Sequence, residues 1–398
     1  MSRMIRGPRR RPAHSRGTAV SFLLVAFWLM GGVGYDARAG LAPRDTASRE
    51  TLARRIVALR ADGRYREALF AARSLRERTL ADTLARKYEL ADADRLMATL
   101  GRIERMPRAR QIALAEADRL GPVIDSLFGA GSYTQGAEAA QRQLGIRRTV
   151  LGDTEPDVPA SLGNLAALMQ ASGQLDSAQT IYRQAIERYE AVLGPAHPDV
   201  ATCLSNFGIF LQSQGDFAGA ETRQRQALAS YLSIFGEEHT LVALSLNNIA
   251  QSLQLQGDYG GAEPLYRQSL ALYRKLLGNE HPYVAQGYGN LALLLQERGD
   301  LAAAEPLQRA ALAQYRHFSG SEHPDVATCL NNLSILLNKQ GDAEGAEPMA
   351  REALAIYRRS EGAEHPDVAT ALNSLGGSLE LQARFAEAGG VYRSALAL

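Results

Sequence analysis

The chain has 398 residues, of which 44 are basic and 43 acidic, and 46% of them are hydrophobic. This length and composition indicate a folded chain with a large buried core. Residues 1–39 hold seven of the arginines and a single acid, so the remainder is mildly acidic and gives no electrostatic reason to expect a nucleic-acid partner.

The first 39 residues have the three parts of a secretory signal peptide. Six arginines lie within residues 1–16, an apolar run follows at 18–30, and Ala37-Arg38-Ala39 supplies a small-residue cleavage site. We therefore predict cleavage after Ala39 and export to the periplasm or the cell exterior. The alternative is an inner-membrane anchor at residues 18–35, although the apolar run is shorter than the ~20 residues that a membrane-spanning helix needs.

Three further segments follow the predicted signal peptide. Residues 40–50 are small and polar and predict a linker. Residues 51–128 predict a divergent helical N-terminal cap, in which residues 61–75 resemble part of a degenerate repeat and long helices cover roughly 80–105 and 107–127. Residues 129–398 predict a repeat array. It begins with a degenerate half-unit in which Gly136 replaces an alanine and Gly145 weakens the helix.

From Gly152 onward the chain repeats every 42 residues without insertion or deletion. The period glycines are Gly152, Gly194, Gly236, Gly278, Gly320 and Gly362. A fixed period of this length is the signature of a solenoid of stacked helical units. In each unit a valine follows the glycine by six residues, and apolar residues follow at helical spacing, which predicts an amphipathic first helix. The valines are Val158, Val200, Val242, Val284, Val326 and Val368.

A second amphipathic helix is predicted in each unit after a turn glycine, since glycine readily adopts the left-handed conformation that ends a helix. The turn glycines are Gly173, Gly215, Gly257, Gly299 and Gly341. The second helix also carries a column of tyrosines, which we expect to pack between helices. They are Tyr189, Tyr231, Tyr273, Tyr315 and Tyr357. Neither helix can bury its apolar face alone, so stacked pairs would bury one continuous core and leave a concave face.

The pattern HPDVA…LNNLA…QGD…AEPLY resembles the 42-residue tetratricopeptide repeats of kinesin light chains and their bacterial relatives. The resemblance covers residues 129–398. It implies an all-α fold, namely a right-handed superhelical solenoid of stacked helix–turn–helix repeats. It also implies a scaffold that binds a protein or an extended peptide in its concave groove.

One polar column lies on the side of the first helix away from the valines. Its members are Asn164, Asn206, Asn248, Asn290 and Asn332. An amide offers both a donor and an acceptor, so the column suits the backbone of an extended peptide, and the matching asparagines of kinesin light chains line the cargo groove. The alternative is that these amides bind neighbouring helices and brace the stack. Five further polar residues vary between units and are predicted to face the groove and set its specificity. They are Thr202, Ser245, Gln251, Gln286 and Thr328.

The histidines and cysteines in register are predicted to be structural. The five histidines open successive first helices about 20 Å apart, if two helices separate them, which is too far for one metal ion. They are His197, His239, His281, His323 and His365. Cys203 and Cys329 lie three periods apart, beyond disulfide reach, and are expected to be free thiols. No phosphate loop, dinucleotide fingerprint or hydrolase motif is present, so we predict no enzyme activity, no metal and no cofactor.

Two other functions remain open because the sequence stops within the second helix of the sixth unit. The array could be the sensor half of an effector whose catalytic, caspase-like domain is absent from this sequence. It could also be a structural solenoid that self-associates through its uncapped C-terminal end.

Overall fold

The computed structural model describes residues 46–81, 87–360 and 362–398, and all regular secondary structure within them is helical. The predicted signal peptide lies outside the described residues. Five helices precede the regular repeats: α1 (Thr46–Ala61), α2 (Tyr65–Ala81), α3 (Lys87–Glu104), α4 (Arg108–Gly129) and α5 (Tyr133–Leu151).

Six regular units follow, each a first helix and a second helix. Units 1 to 3 are α6 (Asp157–Ala171) and α7 (Leu175–Leu193), α8 (Pro198–Ser213) and α9 (Phe217–Phe235), and α10 (Thr240–Leu255) and α11 (Tyr259–Leu277). Units 4 to 6 are α12 (Pro282–Arg298) and α13 (Leu301–Ser319), α14 (Pro324–Gln340) and α15 (Ala343–Ser360), and α16 (Pro366–Leu381) and α17 (Phe385–Leu396).

The ends of these helices have the predicted chemistry. Every period glycine has a φ between 77° and 94°, and the five turn glycines have a φ between 80° and 92°, a region that only glycine occupies at little cost. In unit 6, Ala383 takes the place of the turn glycine with a φ of 60°, and it is the one non-glycine residue with positive φ in the described part of the chain. The last turn is therefore strained where the other turns are relaxed.

The units stack in two layers. The two helices of a unit pack on each other, each second helix packs on the next first helix, and successive first helices also contact one another. The first helices therefore form the inner layer of the stack, and the second helices form the outer layer. The six predicted valines are all buried. Four of the five tyrosines are buried between helices, while Tyr315 is half-buried.

The N-terminal region differs from its predicted boundaries in two places. Helix α1 begins at Thr46, so residues 46–50 are helical rather than part of the predicted linker. Helix α4 packs on α5 as a first helix packs on its second helix, so the predicted array boundary at residue 129 divides a helix pair. Residues 61–75 form a glycine turn and the start of α2, with Ala68 fully buried, as the degenerate repeat predicted.

Helices α1 to α3 have a small core of their own, which includes Ile56, Leu59, Leu100 and Ile103 and reaches Leu114 of α4. The larger core runs from α4 to α17 through the unit stack. Of the described helices, none is both long and apolar enough to span a membrane.

Candidate ligand-binding surface of the first helices

Each first helix presents an uncharged face on the inner side of the stack. We define the inner strip as the residues 8, 12 and 15 positions after each period glycine, which share one helix face because of their spacing. In units 2, 4 and 5 all of these residues are half-buried. The three sets are Thr202, Asn206 and Ile209; Gln286, Asn290 and Leu293; and Thr328, Asn332 and Ile335. No unit has a charged residue in the strip.

Eight of the ten residues predicted to face the groove are half-buried members of the inner strip. The eight are Asn164, Asn206, Asn290, Asn332, Thr202, Gln251, Gln286 and Thr328. Asn248 belongs to the strip but is only 2% exposed. The prediction that Ser245 faces the groove is wrong, because Ser245 is fully buried. It lies one residue later in its unit than Thr202, and the ~100° turn per helical residue directs it into the core; Leu244 takes the strip position.

Two of the strip threonines, Thr202 and Thr328, are engaged within their own units. The hydroxyls of Thr202 and Tyr231 lie 2.9 Å apart, and Thr202 also lies 2.9 Å from the Pro198 carbonyl. Thr328 and Tyr357 are also 2.9 Å apart. Burial raises the pKa of Tyr231 well above its ordinary value, so its hydroxyl stays protonated. The threonines hold first and second helices together.

One strip asparagine braces the stack, as the alternative interpretation predicted. Asn290 donates from Nδ2 to Asn247 Oδ1 of the preceding unit at 2.9 Å. In unit 6, Ser374 occupies the asparagine column and donates to Asn331 Oδ1 at 2.7 Å. In both cases the acceptor is the residue 11 positions after the period glycine of the preceding unit, so that residue decides whether a brace can form.

For Asn206 and Asn332 the residue at that position is a glycine, namely Gly163, which is buried, and Gly289, which is half-buried. Within the part of the chain that the structure describes, neither side-chain amide has a hydrogen-bond partner. A Cβ atom placed on Gly289 would meet no atom within 4 Å, so space remains beside it. These two amides are therefore free to bind another molecule.

Asn248 and Asn164 are intermediate cases. For Asn248, the residue at the acceptor position of the preceding unit is Ser205, which donates to Gln224 Oε1 and does not bond to Asn248. Asn248 Nδ2 is buried without a partner. Asn164 Oδ1 is also buried without a partner. A buried amide group that lacks a hydrogen bond costs about 1–3 kcal/mol, so these two atoms mark places where a further polar group would be stabilising.

Aliphatic side chains accompany the amides. Ile209, Leu293 and Ile335 follow the asparagines of units 2, 4 and 5 by three residues, and all three are half-buried. None of them belongs to the hydrophobic clusters of the described core. The inner strip thus combines hydrogen-bonding amides with partly exposed apolar side chains that lie outside the hydrophobic clusters.

The Tetratricopeptide repeat family model matches residues 123–191, 157–233, 199–275, 241–317, 283–359 and 335–398. The chain belongs to the tetratricopeptide repeat family. The predicted family and fold class are thereby confirmed. No curated protein matches the chain in sequence.

Solved structures resemble this tetratricopeptide repeat protein at low identity. Aspartyl phosphate phosphatase F from Bacillus subtilis is 13% identical, with 89% of this chain and 94% of that protein covered and a TM-score of 0.55. RapI in its apo form is 13% identical, with 69% and 96% covered and a TM-score of 0.52. BtubC (BKLC) from P. vanneervenii is 23% identical, with 56% and 89% covered and a TM-score of 0.49. The first two likenesses show the fold alone.

A polar contact between tetratricopeptide units recurs along the edge of the stack where the first helix of each unit turns into the second, which we call the turn edge. The sequence analysis did not predict this contact. A glutamate near the start of one second helix accepts from the last residue of the next first helix or from the residue just after it, and we call each such pair an inter-unit clasp. The four pairs are Glu221–Gln256, Glu263–Arg298, Glu305–Gln340 and Glu347–Gln382. Each glutamate also binds the arginine four residues later. The signal was present in the sequence, because the glutamates recur every 42 residues.

The five histidines, which were predicted to stand at the start of the first helices, cap those helices. Each accepts a hydrogen bond at Nδ1 from the backbone N–H two residues later, at 3.1–3.3 Å. In the described ranges no three His, Cys, Asp or Glu side chains are grouped to hold a metal ion. Both cysteines are buried free thiols, and burial raises the pKa of each, that of Cys329 to about 12. A protonated thiol is a poor nucleophile.

Helix α3 lies across two of these unit starts. His197 donates from Nε2 to the Asp92 carboxylate at 3.1 Å, and Tyr88 packs edge-on against His197 and Phe235. Near the other end of α3, Thr99 and Arg102 bind Glu155, which stands one period before His197. Helix α3 therefore joins unit 1 to unit 2 from outside the stack.

Proposed function

We propose that this tetratricopeptide repeat protein is a non-enzymatic scaffold that binds an extended peptide or protein segment along the inner strip. The observation that carries the proposal is the combination of partner-free amides at Asn206 and Asn332 with the half-buried side chains of Ile209 and Ile335, which lie outside the hydrophobic clusters. A peptide backbone supplies one donor and one acceptor per residue, which complements an asparagine amide, and its side chains can cover the isoleucines.

The charge of the strip narrows the class of partner. Because the strip has no charged residue, it offers neither cations for a phosphate backbone nor a charged pair for an acidic peptide. The partner segment is therefore an uncharged protein segment rather than a nucleic acid. The histidines act as helix caps and the thiols are protonated, so neither supplies a catalytic group for enzyme activity.

A photo-crosslinking residue placed in the strip tests this function in the protein's own cells. Gln286 lies half-exposed in the strip of α12, whereas Gln268 is exposed on second helix α11 and serves as the matched control. We expect the probe at 286 to crosslink one defined protein segment and the probe at 268 to yield none. Equal crosslinking from both positions would show that the strip is not the binding surface.

One specific observation favours self-association as a second candidate function. Leu396 of α17 is 87% exposed. Leu381 and Phe385 are also exposed on this last unit. Sedimentation of the wild type and of Leu396→Glu over a range of concentrations tests it: a wild-type monomer at all concentrations would exclude this function.

We also propose that the protein is exported, on the strength of the predicted signal peptide in residues 1–39. Sequencing the N terminus of the protein isolated from its own cells provides the test. A mature chain that starts after Ala39 supports export, and a chain that starts at Met1 and remains with the membrane shows an anchor instead.

A further inference from the structure

We infer that the inner strip carries two equivalent ligand stations, which bind the same short apolar motif twice in one partner segment. Station A consists of Thr202, Asn206 and Ile209, and station B consists of Thr328, Asn332 and Ile335. This inference rests on the proposed peptide-binding function and adds to it the number, the position and the chemistry of the contacts.

The two stations are built from the same sequence. Residues 197–204 and 323–330 are both HPDVATCL, three periods apart. In each station the threonine hydroxyl lies 2.9 Å from a buried tyrosine hydroxyl of the second helix. The threonine therefore fixes the first helix against the second in the same way in both stations. The asparagine one helical turn later consequently has an equivalent backbone position in each.

The units between the stations do not offer the same surface. In unit 3, Asn248 is nearly buried and Leu244 replaces the threonine. In unit 4, Asn290 is bonded to Asn247, so its amide donor is already engaged. Unit 1 has a half-buried asparagine, but Ala167 stands in the isoleucine position and is buried. Among the described first helices, only α8 and α14 combine a partner-free, half-buried amide with a half-buried isoleucine.

The glycines opposite the two amides explain this alternation. Gly163 and Gly289 stand where Asn247 and Asn331 supply acceptors to the units after them. A residue without a side chain at that position removes the internal partner of the next asparagine. At Gly289 it also leaves open space within 4 Å of where a Cβ would stand, which the backbone of a ligand can enter.

The distance between the stations sets the length of the partner motif. Successive first helices contact one another and so lie roughly 8–10 Å apart, closer than the spacing expected from the sequence, because no second helix separates them. Three units therefore separate the stations by about 24–30 Å. An extended chain rises about 3.3 Å per residue, so the span corresponds to about eight residues. The predicted partner is thus an uncharged extended segment with two aliphatic side chains about eight residues apart, each beside a backbone amide that pairs with an asparagine.

Selection from a random library of 16-residue peptides displayed on phage, with the full chain as the target, tests the inference. We expect the selected peptides to share two aliphatic positions about eight residues apart. Fluorescence anisotropy with a synthetic selected peptide then compares the wild type with Asn206→Ala, Asn332→Ala and the double variant. Each single change should weaken binding about two- to tenfold, as the loss of one net hydrogen bond does, and the double variant should multiply the two effects.

Two further measurements separate the possible failures. Half-length peptides with one aliphatic position should bind at two per chain in calorimetric titration. Asn206→Ala and Asn332→Ala should leave the melting temperature unchanged, whereas the control Asn290→Ala should lower it and leave affinity unchanged. If selected peptides bind tightly but depend on one asparagine and half-peptides bind one per chain, the two-station inference is wrong while peptide binding stands. If selection yields no saturable binder, the proposed function and the inference both fail.

Discussion

Arg60 Nη2 of the N-terminal helix α1 lies 2.6 Å from Asp157 Oδ2, the first residue of the regular array. Arg60 also binds both carboxylate oxygens of Asp118, and Arg147 binds Asp118 from α5 at 3.0 Å. The side chains of Arg60, Asp118 and Arg147 are nearly buried, and that of Asp157 is somewhat more exposed. This cluster joins helices α1, α4, α5 and α6, so the N-terminal region is fixed to the array through charge as well as through apolar packing.

Arg60→Met should therefore destabilise the protein by about 3 kcal/mol, because it leaves two carboxylates with only Arg147 to compensate them in a buried site. Urea unfolding measures the change. Arg64→Met is the matched control on the adjacent exposed pair with Glu67 and should leave the urea midpoint almost unchanged, because solvent screens an exposed pair. Equal effects of the two changes would contradict a structural role for the buried cluster.

The same cluster predicts a pH dependence. Burial alone would raise the pKa of the Asp157 carboxyl, but the charges of Arg60 and Arg147 and the Arg60 hydrogen bond hold it at about 2, below its ordinary value of 3.8. A lowered folded-state pKa contributes stability that is present above the ordinary value and is lost as the pH falls toward the folded value. The wild type should lose this contribution between about pH 4 and pH 2, and Arg60→Met should show a shallower loss in acid unfolding curves.

Ala383→Gly should stabilise the last unit. A non-glycine residue in the left-handed region costs about 1–2 kcal/mol, and replacing Ala383 relieves that cost, less the backbone entropy that glycine adds to the unfolded chain. We expect a net gain of roughly 0.5–1 kcal/mol, seen as slower amide hydrogen exchange in α16 and α17. The reverse change at the equivalent turn of the preceding unit, Gly341→Ala, should destabilise that unit.

Gly136→Ala should destabilise the junction of α5 with unit 1. A Cβ atom on Gly136 would lie 2.7 Å from Leu168 Cδ2, so helix α5 or Leu168 must move, at a cost of about 1–3 kcal/mol. Gly145→Ala in the same helix meets no atom within 4 Å and should stabilise by about 0.5–1 kcal/mol. Thermal unfolding of the two variants should thus move in opposite directions.

The two cysteines should report the integrity of the stack. Cys203 is fully buried and Cys329 is 5% exposed, so a thiol reagent should label neither at a measurable rate in the native state at neutral pH. Two thiols per chain should appear once the protein is unfolded in denaturant without reductant. Rapid native labelling of Cys203 would mean that unit 2 opens far more easily than its burial implies.

The repeat period was sufficient to predict most of the fold, because each unit is specified by local chemistry. The histidine caps, the turn glycines and the valine column all follow from single positions repeated every 42 residues. The period also carried the glutamates of the clasps, but their partners lie about 35 residues away in the next unit, and pairing them needs the stacking geometry. Helix α3 has no periodic counterpart, so its path across Glu155 and His197 could not be predicted.

The inner strip was predicted less well, for a physical reason that Asn290 and Asn332 illustrate. The two residues occupy the same position in neighbouring units, yet one is bonded and the other free. The difference depends on Asn247 and Gly289, residues 43 positions earlier that belong to another helix. A column of identical residues therefore predicts a shared location, while the neighbour across the unit boundary decides what each member can do.

The inter-unit clasps also have a mechanical consequence. They fasten four of the five joints between regular units at the turn edge, whereas at the joint of units 1 and 2 Gln179 replaces the glutamate and Gln214 donates to Ser213 instead. That joint is held from outside by α3, through Glu155 on one side and His197 on the other. When the solenoid is pulled along its axis, we expect the joint between units 1 and 2 to open first, as α3 dissociates from it. The clasped joints from unit 2 onward should open at a higher force.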